Sequence, residues 1–167
     1  MPFLLIKSKG KTYKCLIDSR DQAKISRFTW SINGKGYLQT TINGRTILMH
    51  RLILGIIDRP ELETDHKRHN KIDNRRSQIR VCNHSENRRN SRKLMPGSSK
   101  FKGVYKDGLY YHAQIMKGQK VINLGRYYSE ITAGKVYDQA AKETFKDFAY
   151  LNFPGFKPAN QLIIPGL

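Results

Sequence analysis

Thr64-Asp65-His66-Lys67-Arg68-His69-Asn70-Lys71-Ile72-Asp73-Asn74-Arg75-Arg76-Ser77-Gln78-Ile79-Arg80-Val81-Cys82-Asn83-His84-Ser85-Glu86-Asn87 is the stretch on which the fold of this chain turns. Only Ile72, Ile79, Val81 and Cys82 in it are apolar, so it cannot build a core of its own and must lie on something or bind something. Its pattern reads as a strand, a long polar loop, a short strand and a helix. Asn83 followed three residues later by Glu86 is a capping-box signature for that helix, which places Asn87 in its second turn at most. Asp65 beside His66 joins a hard oxygen donor to a base whose ordinary pKa lies near neutrality, and oxygen donors of this kind suit Mg²⁺ or Mn²⁺. Phosphodiester hydrolysis needs those two things: a base for the attacking water and a positive centre for the charge that builds on the phosphoryl and leaving oxygens. Adjacent strand residues point to opposite faces, so Asp65 and His66 can converge only if the strand ends or twists there.

Charge spreads outward from this segment. From Thr64 to Lys93 ten Lys/Arg face three Asp/Glu, and from Ser98 to Pro154 nine face five. The whole chain of 167 residues carries 31 Lys+Arg against 13 Asp+Glu, a formal net charge of +18. That excess points to a polyanion, with nucleic acid ahead of a membrane surface, and binding should fall steeply with salt. Arg75, Arg76, Arg80, Arg88 and Arg89 are expected to hold phosphates by paired hydrogen bonds. The apolar run at Phe3-Leu4-Leu5-Ile6 is too short for a signal peptide, and no stretch is long enough to span a bilayer. Cys15 and Cys82 stand apart, which argues against a disulfide framework or a thiolate zinc site. A cytoplasmic protein is expected.

Upstream, the first 60 residues read as an antiparallel meander. Strands are expected at Tyr13–Ile17, Thr29–Ile32, Gly36–Thr41 and Thr46–Met49, with hairpin signals at Asn33-Gly34 and Asn43-Gly44. Asp18–Phe28 can form a helix, and His50–Ile57 reads as a short apolar one. Downstream, Leu94-Met95-Pro96-Gly97-Ser98-Ser99 is the linker candidate. Three short strands follow, at Phe101–Tyr105, Tyr110–Ile115 and Val121–Gly125. A helix from Glu130 to Phe145 is then expected, with Ser129 as N-cap and an apolar stripe of Ala133, Val136, Tyr137, Ala140, Ala141 and Phe145. The fold class is α+β: N-terminal antiparallel strands with a ββα unit at about 62–92, then a three-stranded antiparallel sheet on one helix. The expected domains are 1–94 and 99–155, joined by 95–98 and followed by a tail, 156–167.

Asp65-His66, the Asp73-Asn74-Arg75 loop, Ile79-Arg80-Val81 and the spacing to Glu86-Asn87 resemble the ββα-metal motif of HNH endonucleases. The match is closest to the phage and intron-encoded homing type, in which a His-Arg-Leu, here His50-Arg51-Leu52, precedes the Asp-His. The resemblance implies His66 as general base, Asp65 and Asn87 as ligands of one divalent ion, and Gln78 at the middle signature position, where Asn is usual. Lys102-Gly103-Val104, Ala113-Gln114-Ile115, Leu124-Gly125-Arg126-Tyr127, Ala133-Gly134-Lys135-Val136-Tyr137-Asp138-Gln139-Ala140-Ala141 and Leu151-Asn152-Phe153-Pro154 resemble the APETALA2 or ethylene-response-factor DNA-binding domain. That resemblance implies a sheet placed in the major groove, and Lys102, Tyr105, Lys106, Tyr111, Lys117, Lys120 and Arg126 become candidate DNA contacts.

Together these readings lead to the expectation of a metal-dependent homing-type endonuclease, encoded by a phage or mobile element and acting as a monomer on double-stranded DNA. Catalysis would rest on His66, Asp65, Asn87 and Gln78. His50 is expected to pack or hydrogen-bond, and His84 to be structural or to touch a phosphate. The alternative is a non-cleaving DNA-binding regulator with a decayed nuclease motif. A structured-RNA nuclease or binder ranks third, because neither half offers a platform for stacking single-stranded bases.

Overall fold

The computed structural model describes residues 2–92 and 97–155. The proposed linker residues 95 and 96 and the tail 156–167 lie outside them. The protein is an α+β chain with antiparallel sheets, and it divides into two compact units, Met1–Asn87 and Arg88–Leu167.

In the first unit, β1 (Phe3–Ser8) and β2 (Lys11–Leu16) form one hairpin, and β3 (Ser31–Ile32), β4 (Leu38–Ile42) and β5 (Arg45–Leu48) form a separate three-stranded sheet. The meander is thus split by α1 (Ser19–Ile25). The third strand is shorter than the expected Thr29–Ile32 because Trp30 folds back to donate its indole N–H to the carbonyl of Ile25 at 2.9 Å. Asn43 and Gly44 both take positive φ (49° and 75°), the conformation that a tight two-residue hairpin demands. α2 (Met49–Leu54) ends earlier than the expected Ile57, because Gly55 adopts a left-handed C-cap. Cys15, Ile17, Ile25, Leu38, Met49 and Ile53 fill the core, and Ile79 from the basic segment joins them.

That segment forms β6 (Glu63–His66) and β7 (Ile79–Cys82), paired antiparallel, followed by α3 (His84–Asn90). The register sets Asp65 opposite Arg80 and His66 opposite Ile79. The intervening loop has no core, so it is tied to other elements through its backbone. Leu16 donates to Ile72, Asn74 donates to Leu16, and the Arg76 N–H donates to the Asp18 carboxylate, at 3.0, 2.8 and 2.7 Å. The capping box forms in both directions: Glu86 N–H to Asn83 Oδ1, and Asn83 N–H to Glu86 Oε2, each 2.9 Å.

In the second unit, β8 (Val104–Asp107), β9 (Tyr110–Lys117) and β10 (Lys120–Tyr127) form an antiparallel sheet ordered β10-β9-β8. α4 (Glu130–Phe145) packs on it through Ala133, Val136, Tyr137, Ala140, Ala141 and Phe145. Small residues at three of these six positions let the helix approach closely. The Ser129 hydroxyl accepts the Thr132 N–H, as a helix N-cap should. β8 starts at Val104 and not at the expected Phe101, because Gly103 turns the chain with φ +73° directly beneath the Tyr137 ring. Among the described residues, no helix is long and apolar enough to cross a membrane.

Candidate functional site

β6 ends at His66, and this is how two neighbouring residues come to be buried together: Asp65 and His66 are each 5% exposed. Asp65 is held from across the ladder. Arg80 donates to its Oδ2 from Nε at 2.8 Å and from a terminal nitrogen at 2.5 Å. His66 lies under two rings from earlier in the chain, His50 (centroids 5.1 Å, edge to face) and Tyr37 (5.8 Å). Tyr37 and His50 also meet, at 5.3 Å, and Lys71 covers the Tyr37 ring at 4.7 Å.

Burial sets the protonation of this cluster. It is the largest influence on His66 and lowers its pKa, against the Asn74 amide and the carboxylates of Asp65 and Asp73, which favour the imidazolium. The outcome is a neutral imidazole near neutral pH, the form a general base requires. His50 is pushed further, down to about 3, by burial, then by His66 and Arg51. Its Nδ1 is buried without a hydrogen-bond partner among the described residues, so it cannot readily take a charge. Tyr37 is raised, by burial and then by Asp65.

Asn87 enters from α3. Its Nδ2 donates to Glu63 Oε2 at 2.6 Å, and the other Glu63 oxygen meets His84 Nδ1 at 2.8 Å. These hydrogen bonds hold the Glu63 carboxyl below the usual range. An open cleft of about 780 Å³ borders this corner, lined by Tyr37, His50, Arg51, Glu63, Thr64 and Asn87 among others.

Among the described residues, no group of three or more His, Cys, Asp or Glu is placed to hold a metal. The two ligands expected from the sequence, the Asp65 carboxylate and the Asn87 amide, are oxygen donors of the kind that Mg²⁺ takes alongside water and phosphate, and Arg80 already engages Oδ2 of Asp65.

The basic residues divide into two groups. Three arginines expected on phosphate make ion pairs inside the unit instead: Arg75 with Asp73, Arg76 with Asp21, and Arg80 with Asp65. The Arg76 guanidinium also donates to the Ile53 carbonyl. Each pair supplies a buried or half-buried carboxylate with the partner it needs. Burial opposes ionisation of Asp73, but the hydrogen bonds from Arg75 overcome it and its pKa ends low. Lys102 is likewise turned inward. Its ammonium donates to the carbonyls of Arg89 and Ser91 at 2.7 Å each, and burial lowers its pKa to about 8. Tyr111 packs against the second core. By contrast, Lys106, Lys117, Lys120 and Arg126 are exposed, as is Tyr105, which stacks on His112 at 5.0 Å. Arg126 covers the Tyr110 ring at 4.7 Å.

Gln78 is anchored through its backbone, which donates to Arg75 and accepts from Lys67, each at 2.8 Å. Its side-chain oxygen is buried without a hydrogen-bond partner among the described residues. Sequence reasoning missed three residues here. Asn74 is fully buried against His66, Tyr37 arrives from a distant hairpin, and Glu63 organises the α3 side. Glu63 lies two residues before Asp65 on the same strand, so the period of two could have flagged it.

Comparison of the chain with protein-family models, with curated proteins and with solved structures gives no match.

Proposed function

We propose that this protein is a divalent-metal-dependent DNA endonuclease of the HNH type, with the second unit as its duplex-binding module. The observation that carries this reading is the corner itself. A buried neutral His66 stands beside Asp65 at a strand end, and the antiparallel strand and capped helix that follow set Asn87 against Glu63, two residues before Asp65 on that strand, where both line an open cleft. In this reading His66 takes the proton from a water that attacks phosphorus in line. The rings of Tyr37 and His50 pack on the imidazole and hold its orientation. Asp65 and Asn87 would hold the ion, which when bound supplies positive charge to the phosphoryl and leaving oxygens. Arg80 holds Asp65 in its rotamer and lowers the cost of burying that carboxylate. Lys106, Lys117, Lys120 and Arg126 would hold the flanking duplex.

The test is nicking of supercoiled plasmid with and without Mg²⁺, wild type beside His66→Ala. Mg²⁺-dependent nicking lost in the variant supports the reading, and equal nicking by both refutes it. One observation favours the second reading, a DNA-binding regulator that does not cleave. Among the described residues the Gln78 side-chain oxygen has no hydrogen-bond partner, in the loop that should support His66. Gel-shift binding without any Mg²⁺-dependent nicking would decide for it.

A further inference from the structure

We infer that Glu63 is a positioning residue of this corner, fixing which atoms of Asn87 and His84 are presented to a cation or phosphate. The inference rests on the nuclease reading for its purpose, but its geometry stands by itself. A glutamate carboxylate is ionised at neutral pH and can only accept hydrogen bonds. Asn87 therefore has to turn its Nδ2 to Glu63, as the 2.6 Å contact requires, and its Oδ1 points away from that carboxylate. An amide in the reverse orientation would set its oxygen against Glu63 and offer an N–H to a cation. The same logic fixes His84. At 2.8 Å from Glu63 Oε1, Nδ1 has to carry the proton, so the neutral ring keeps its lone pair on Nε2, on a side chain that is 75% exposed. Each Glu63 oxygen serves one partner, so a single carboxylate orients both side chains. Carboxylates that fix the orientation of metal-site side chains in this way commonly carry a tenfold or larger effect on affinity.

Glu63→Gln tests this with little change in size. Its single carbonyl oxygen can serve Asn87 or His84, while its –NH₂ faces the other as a donor. Mn²⁺ affinity of the full chain, read from the electron paramagnetic resonance of free Mn²⁺, should weaken about tenfold. The Mg²⁺ concentration for half-maximal nicking should rise in proportion, with a smaller change in the saturated rate. In ¹⁵N spectra of the wild type at pH 8, His84 should show a protonated Nδ1 and an unprotonated Nε2, with the variant shifted toward the other tautomer. A purely structural Glu63 would lower the melting temperature and leave Mn²⁺ affinity and tautomer unchanged, which overturns the inference. A wild-type His84 protonated on Nε2 alone overturns it without any variant. Wild type that binds no Mn²⁺ overturns both this and the nuclease reading. Wild type that binds Mn²⁺, weakened in Glu63→Gln, but never nicks DNA overturns the nuclease reading and leaves this inference standing.

Discussion

The two units bury polar groups for different ends. In the second, Asp138 lies inside the fold, and its two oxygens accept the backbone N–H groups of Asn152 and Phe153 at 2.8 and 2.7 Å. Asn152 in turn clasps Lys102, accepting its N–H and donating to its carbonyl. These groups close a loop on a sheet-and-helix core and are satisfied there. In the first unit the buried polar residues include His50, Asp65, His66, Asp73 and Asn74, and two imidazoles are kept neutral by burial. Such an arrangement costs stability, and perturbed groups beside a cleft are what the proposed chemistry would use. Buried polarity thus closes a loop in one unit and forms, in the other, the corner on which the proposed function rests.

The largest effect should come from the corner. His66→Ala is expected to lower plasmid nicking about 10³-fold, roughly 4 kcal/mol of barrier, while leaving DNA binding intact by gel shift. A loss of binding equal to the loss of nicking would count against the division of labour. Next, Gly103→Ala should break the second unit. The added Cβ would meet the Tyr137 ring at 1.9 Å and the Gln114 carbonyl at 2.8 Å, at φ +73°. A destabilisation of roughly 3 kcal/mol by denaturant titration is expected from overpacking and backbone strain, with plasmid nicking by the first unit reduced less than duplex binding.

Acid should separate the units through opposite signs. His50 has a folded pKa of about 3 against an ordinary 6.5, so its neutral state contributes stability above pH 6.5 that is lost as pH falls. At pH 5 that loss amounts to about 2 kcal/mol from His50 alone, and His66, lowered by burial, acts in the same direction. Asp138 is raised by burial, so its contribution is present at low pH and fades as pH rises through its folded value. Amide exchange followed on acidification should therefore open β2 and α2 before β9 and α4, and His50→Gln should delay the first event. Simultaneous opening would deny the contrast. The smallest effect is expected from Lys117→Ala with Lys120→Ala, two exposed lysines at one hairpin. Folding should not change, while the slope of log affinity against log salt for duplex DNA should flatten by about 1.8.

Much of the local architecture was legible, for reasons particular to the elements. Ser129 and the apolar stripe specify α4 from Glu130 to Phe145, because capping and a 3.6-residue period are local signals. Asn83 and Glu86 specify the start of α3 in the same way. The Asp65–His66 pair was legible from its chemistry, while Asn87 was placed in the helix by the capping box and given a ligand role only by the resemblance to the HNH motif. What Arg75, Arg76 and Arg80 would do was not legible. All three read as phosphate ligands, yet their carboxylate partners lie two, 55 and 15 residues away along the chain, and only pairing register and the docking of α1 bring the more distant ones together. Lys102 was misjudged for a similar reason, since the Gly103 turn and the Asn152 clasp aim it inward.

By itself, then, the sequence determined the α+β class, the order of strand, loop, strand and capped helix around Asp65-His66, and the net charge of +18. These follow from periodicity, capping chemistry and counting, which act over a few residues or over none. The tertiary structure alone decided which basic groups remain exposed and which are consumed in ion pairs. It also decided that Asn74 and Tyr37 surround His66, and that Glu63 turns Asn87 and His84. Those outcomes depend on distances between residues far apart in the chain, and such distances are set only when the strands pair and the core closes.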